Sequence, residues 1–128
     1  MPAVETRLAA TVLGAADPRA LGAFYSALLG WDIKHNEPDW VTVRPDDGSA
    51  GLSFQREVEF TPPVWPRGAA GTQRMHAHLD IAVRDLEAGV AWAEELGASQ
   101  SGHQPQPGVC VMADPVGHIF CLFAAETL

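Results

Sequence analysis

Apolar and polar residues alternate along Arg7–Ala15 and again along Met75–Val83, the period-two signature of a half-buried strand. Each run is followed by an acid suited to cap a helix: Asp17, with Pro18 at the first helical position, and Asp85. Helical spacing then takes over, through Leu21, Phe24, Tyr25 and Leu28 in one case and Gly89, Trp92, Ala93 and Leu96 in the other. Gly30 and Gly97 suit the helix ends. Three short strands complete each stretch: 31–35, 39–44 and 51–57, then 99–103, 108–113 and 117–124. The turns between them carry "RPDDGSAG" and "ADPVGH". The predicted order is β-α-β-β-β, twice.

The two halves also align. An offset of 68 brings Asp17 onto Asp85, Phe24 onto Trp92, and Val41 and Val43 onto Val109 and Val111. Removing two residues from the next turn aligns "LSFQ" with "HIFC", so that Phe54 meets Phe120 and Gln55 meets Cys121. The predicted organisation is a first module over 1–58, a Pro- and Gly-rich linker over 59–73, and a second module over 74–128.

Composition narrows the function. The 128 residues are 47% hydrophobic and 19% charged, a globular balance. A net charge of −8 disfavours nucleic acid and anionic membrane surfaces, both of which need a basic partner. "MPAVETRLAA" lacks the basic start and apolar core of a secretory leader, and no apolar run is long enough to span a bilayer. Cys110 and Cys121 lack CxxC spacing and read as reduced, buried thiols, so the expected setting is cytoplasmic.

With "ADPRALGAFYSALLGW", "HLDIAVRDLEAGVAWAEELGA" and "ADPVGHIFCLF", the chain resembles the glyoxalase, bleomycin-resistance and extradiol-dioxygenase group, the vicinal-oxygen-chelate superfamily. The resemblance covers nearly the whole chain and is nearest to the small bacterial glyoxalase-like proteins. It implies an α+β fold of two βαβββ modules, whose curled mixed sheets form a cup with the helices outside. It also implies where a metal would sit, on the first and last strands of each module. Carried over, those positions are Ala10, His78, Gln55 and Cys121, and only His78 keeps the type usual in metal-using members. Ala10 has no donor, Gln55 offers a neutral amide, and the Cys121 thiolate would favour zinc over harder ions.

Strand alternation then assigns faces. Leu79, Ile81 and Val83 are expected beneath the second helix, leaving His76, His78 and Asp80 toward the cup, with Cys121 and Phe123 beside them. The first module offers Ala10, Val12 and Gly14, with Ser53 and Gln55. His78 is the candidate catalytic base or ligand; the alternative is a half-buried imidazole bonded to Asp80 or Gln55. Cys121 reads as a nucleophile or, in preference, as a small buried residue. Trp65, in "PPVWPRG", either stacks on a planar ligand, pins the linker to the sheet or makes a dimer contact, and Trp92 is expected in the core. Arg56 is a cation at the presumed rim. The expected ligand-binding set is therefore Gln55, Arg56, Trp65, His78, Asp80 and Cys121.

A metal would draw on His78, Gln55, Cys121 and His76, a weak set, so no resident cofactor is expected. The expected function is binding of a small aromatic or cationic molecule by a homodimer. The alternative is a lyase, isomerase or dioxygenase using His78 with zinc, nickel, manganese or iron as Lewis acid.

Overall fold

The computed structural model describes residues 4–128; the first three residues of the expected 1–58 module lie outside them. Ten elements follow in order: β1 (Ala10–Ala15), α1 (Pro18–Leu29), β2 (Asp32–Glu37), β3 (Trp40–Arg44), β4 (Gly51–Arg56), β5 (Leu79–Val83), α2 (Leu86–Glu95), β6 (Ser99–Gln100), β7 (Val109–Ala113) and β8 (Ile119–Ala124). Contacts divide them into two compact units, with the boundary after Glu59. Each unit is a βαβββ module built on one four-stranded mixed sheet, ordered β1-β4-β3-β2 and β5-β8-β7-β6. The fold is α+β, as the resemblance implies.

In the first unit the Asp17 carboxylate accepts the Ala20 N–H at 3.3 Å and starts α1. Gly30, at φ 71°, ends it in the left-handed conformation that a side chain disfavours. Leu21, Phe24 and Tyr25 are buried, and Tyr25 stacks on Phe54 of β4 at 5.7 Å. Gly22 permits the close approach of helix and sheet, because a Cβ there would lie 2.6 Å from a Val41 methyl. β1 runs parallel to the last strand, β4, with Val12 opposite Ser53.

The second unit repeats this plan. The Asp85 carboxylate caps α2 through the Ala88 N–H at 3.1 Å, and β5 lies parallel to β8 with Asp80 opposite Cys121. Gly89 seats α2 on Val83, so the strand face bearing Val83, Leu122 and Phe120 is the helix side. On the other face Val111, Ile119 and Cys121 form a second small core, covered by Trp65 and Met75 from the segment that precedes β5. Pro62 of that segment sits against Gly117, and the Phe60 ring lies 4.4 Å from the His118 ring.

Register corrects several expectations. The offset of 68 holds from the first strand through the helix to the last strand, so Ser53 is the counterpart of Cys121 and Gln55 that of Phe123. The β3–β7 offset is 69, which equates Thr42 with Val111. β1 and β5 start later than their alternation suggests, because β4 and β8 offer no partner before Gly51 and Phe120. His76 therefore lies outside β5 and is exposed. β6 is shorter than 99–103 because the Gln104 side chain takes over the ladder: its amide accepts the Val111 N–H at 2.7 Å and donates to the Val111 carbonyl at 2.9 Å. Trp92 is 44% exposed, not core, because α2 meets the sheet through the small residues Gly89 and Ala93.

Two predictions follow from these interiors. Asp114 is buried, and its Oδ1 accepts the N–H groups of Val116, Gly117 and His118 at 2.9–3.1 Å. Asp114→Ala removes this shared acceptor, leaving the Gly117 N–H its bond to the residue 114 carbonyl, and should cost about 3 kcal/mol in urea unfolding, with Asp114→Asn losing less. Burial pushes the thiols of Cys110 and Cys121 up, reinforced by the charges of Glu94 and Asp80 respectively. Below the ordinary thiol range of about 8.5 both folded and unfolded chains stay protonated. Above it the unfolded chain releases protons that the folded chain keeps, so stability should fall as pH rises. A Cys110→Ala, Cys121→Ala double variant should flatten that fall.

Candidate functional site

The parallel pairing of β5 with β8 sets the site. It places Asp80 directly beside Cys121, and His78, just before β5, on the same side. A pocket of about 520 Å³ opens there. Its floor is Val109, Val111, Cys121 and Phe123, the side chains that alternation turns away from α2. Trp65 forms one wall, and Pro105 with Gln106 another. The walls are mainly apolar, and the polar groups converge at His78 and Asp80.

His78 is held twice. Its Nε2 lies 2.9 Å from Asp80 Oδ1. A carboxylate only accepts, so Nε2 carries the hydrogen of this bond. The ring also stacks on the Trp65 indole, with centroids 5.3 Å apart and planes 18° apart. Trp65 packs on the Val111, Ile119 and Cys121 cluster, which pins its segment to the sheet, and it also lines the pocket.

The order Cys121, His78, Asp80 invites comparison with a nucleophile, base and orienting acid. The thiol argues the other way. Cys121 is 3% exposed, and burial, then Asp80, then Cys110 all raise its pKa. An activated cysteine needs the opposite shift.

Metal-using members of the group this chain resembles hold a divalent ion, and the donors present decide what would fit. Donor atoms of His78, Asp80 and Cys121 all lie within 4.8 Å of one another. One imidazole, one carboxylate and one sulfur suit zinc; they do not suit an ion that wants oxygen ligands throughout. Seating zinc requires loss of the Cys121 proton and rearrangement of the His78–Asp80 bond.

Gln55 and Arg56 line a groove of the first unit with Trp40 and the acids Glu37, Asp39 and Glu57. His76 joins neither the pocket nor the donor cluster. Pro105 and Gln106 escaped sequence reasoning. Their signal was the stretch "GHQPQPG", whose turn-forming residues leave the sheet between two strands.

Comparison with known proteins gives this arrangement a context. The glyoxalase-like domain family profile matches residues 10–123. No curated protein matches. Among solved structures, a glyoxalase/bleomycin resistance protein/dioxygenase family enzyme from Burkholderia phytofirmans PsJN superposes with a TM-score of 0.68 at 15% identity, covering 91% of this chain and 97% of that one. An antibiotic-binding protein from Streptomyces sp. CB03234 gives 0.58 at 19% identity, covering 97% and 98%. A bleomycin resistance determinant encoded on the transposon Tn5 gives 0.60 at 20%, covering 94% and 99%. At these identities the superpositions establish the fold alone. The profile match spans most of the chain, and with it the chain belongs to the glyoxalase-like domain family of the vicinal-oxygen-chelate superfamily.

Proposed function

We propose that the protein binds a small organic molecule in the pocket of its second module and does not turn it over. The observation that carries this reading is the composition of the pocket. About 520 Å³ of space has apolar and aromatic walls, with His78 and Asp80 as its convergent polar pair. Small-molecule sites have this character: apolar surface supplies affinity and a few polar groups set orientation. The raised Cys121 pKa favours binding over covalent catalysis. The names of two structural relatives, one an antibiotic-binding protein and one a bleomycin resistance determinant, point the same way. We retain a homodimer in the cytoplasm as part of the proposal.

In this reading Trp65 and Phe123 take the flat surfaces of the ligand, and Asp80 and His78 take its polar end. The ring stacking and the Asp80 hydrogen bond hold His78 in one orientation before the ligand arrives, which lowers the ordering cost of binding. Gln55 and Arg56 are left out of this binding set.

A second reading rests on the His78, Asp80 and Cys121 donor cluster. There the three side chains hold zinc, which when bound acts as a Lewis acid toward a carbonyl oxygen. Cys121 would give up its proton to bind, and His78 would turn from partner of Asp80 to ligand.

Two measurements separate these readings. A thermal-shift screen of uncharged and charged small aromatics should yield a stabilising ligand. Trp65→Ala should weaken that ligand at least about tenfold, with Trp65→Phe closer to wild type. A broad library without a single hit counts against the binding reading. Protein purified without chelator should hold well below one zinc, nickel, manganese or iron per chain. Stoichiometric metal that disappears in His78→Ala makes the metal-dependent reading the correct one.

A further inference from the structure

Resting on the binding reading above, the geometry points to the charge of the ligand: we infer that the pocket selects a flat apolar molecule carrying a positively charged nitrogen, and rejects carboxylates and phosphates. The pocket lining contains no Lys or Arg, and its one acidic side chain is Asp80. Asp80 Oδ1 is taken by the His78 N–H at 2.9 Å, and among the described residues no protein donor meets Oδ2. The Asp80 side chain is 63% exposed, so Oδ2 is dressed by water that an incoming N–H can replace.

A cation gains three times in such a place. It pairs with the carboxylate, donates to an oxygen that His78 leaves open, and lies among the aromatic side chains of Trp65 and Phe123 that line the pocket. The His78 bond stays intact, so the acceptor is already oriented. An anion meets the Asp80 carboxylate, aromatic side chains and a mainly apolar floor, with no Lys or Arg in the lining to compensate its lost water. A neutral isostere falls between, keeping the apolar contacts alone. The exposure of Asp80 keeps the discrimination modest, because water and salt screen the pair.

The test uses three molecules with one indole body and different ends: tryptamine as the cation, tryptophol as the neutral alcohol, and indole-3-propionate as the anion. Binding to the full chain is measured by calorimetry at low and at physiological salt. Tryptamine should bind about tenfold more tightly than tryptophol, and indole-3-propionate more weakly still. Added salt should erode the tryptamine advantage and leave tryptophol unchanged. Asp80→Asn keeps the shape and should remove the advantage of tryptamine over tryptophol. Circular dichroism checks that this variant folds, and the salt series on the wild-type chain tests the same charge without any substitution.

Tryptophol or indole-3-propionate binding as tightly as tryptamine overturns the inference, as does a tryptamine affinity indifferent to Asp80→Asn. If all three indoles fail while an uncharged aromatic from the thermal-shift screen binds, charge selection is wrong and the binding reading stands. If nothing binds in either experiment, the binding reading falls and takes this inference with it.

Discussion

In each module the first strand lies beside the last, and the two run the same way. Parallel neighbours cannot be joined by a tight turn, so a helix and two further strands must intervene before the chain returns. That return brings Asp80 against Cys121 and Val12 against Ser53. The polar end of the pocket exists because of this pairing, since residues far apart in the chain become neighbours across one ladder. Hydrogen bonds of the ladder fix which side chain faces which. A slip of one residue would turn Asp80 toward α2 and present an apolar neighbour in its place.

The two modules share this scaffold and differ in what they hang on it. Along the face away from the helix the first carries Val12, Thr42 and Ser53, and the second carries Asp80, Val111 and Cys121 at matching ladder positions. The helix-side positions stay apolar in both, with Leu52 and Phe54 answered by Phe120 and Leu122. Packing beneath a helix tolerates only exchanges of similar shape, and the opposite face is less constrained. Chemistry has therefore diverged where the core permits it. The second module also places a chain segment bearing Trp65 over its far face, which turns a sheet surface into a walled pocket.

Much of this was legible in the letters. Both helix caps, both helices and the succession of elements along the chain follow from periodicity and from the acids at positions 17 and 85. Alternation also put His78, Asp80, Cys121 and Phe123 on one side. The rest failed for identifiable reasons. The two-residue gap assumed before the last strand matched Phe54 to Phe120 by letter, whereas the ladder matches Leu52 to Phe120. That shift is what made Gln55 look like the counterpart of Cys121. Alternation extended to His76 because a sequence cannot display where the partner strand ends. Trp92 looked like core because a helical position reports a face, and small residues had already claimed the contact. The loop at Pro105 and Gln106 had no period to read at all.

The Gln104 side chain acts where a strand backbone would otherwise continue, closing two hydrogen bonds onto Val111. One wall of the pocket is thus fastened by a removable clasp and not woven into the sheet. Residues after the clasp, up to the start of β7, are free to change in length and kind without unsettling the ladder beneath. Substitutions there can reshape that rim while the floor stays as it is.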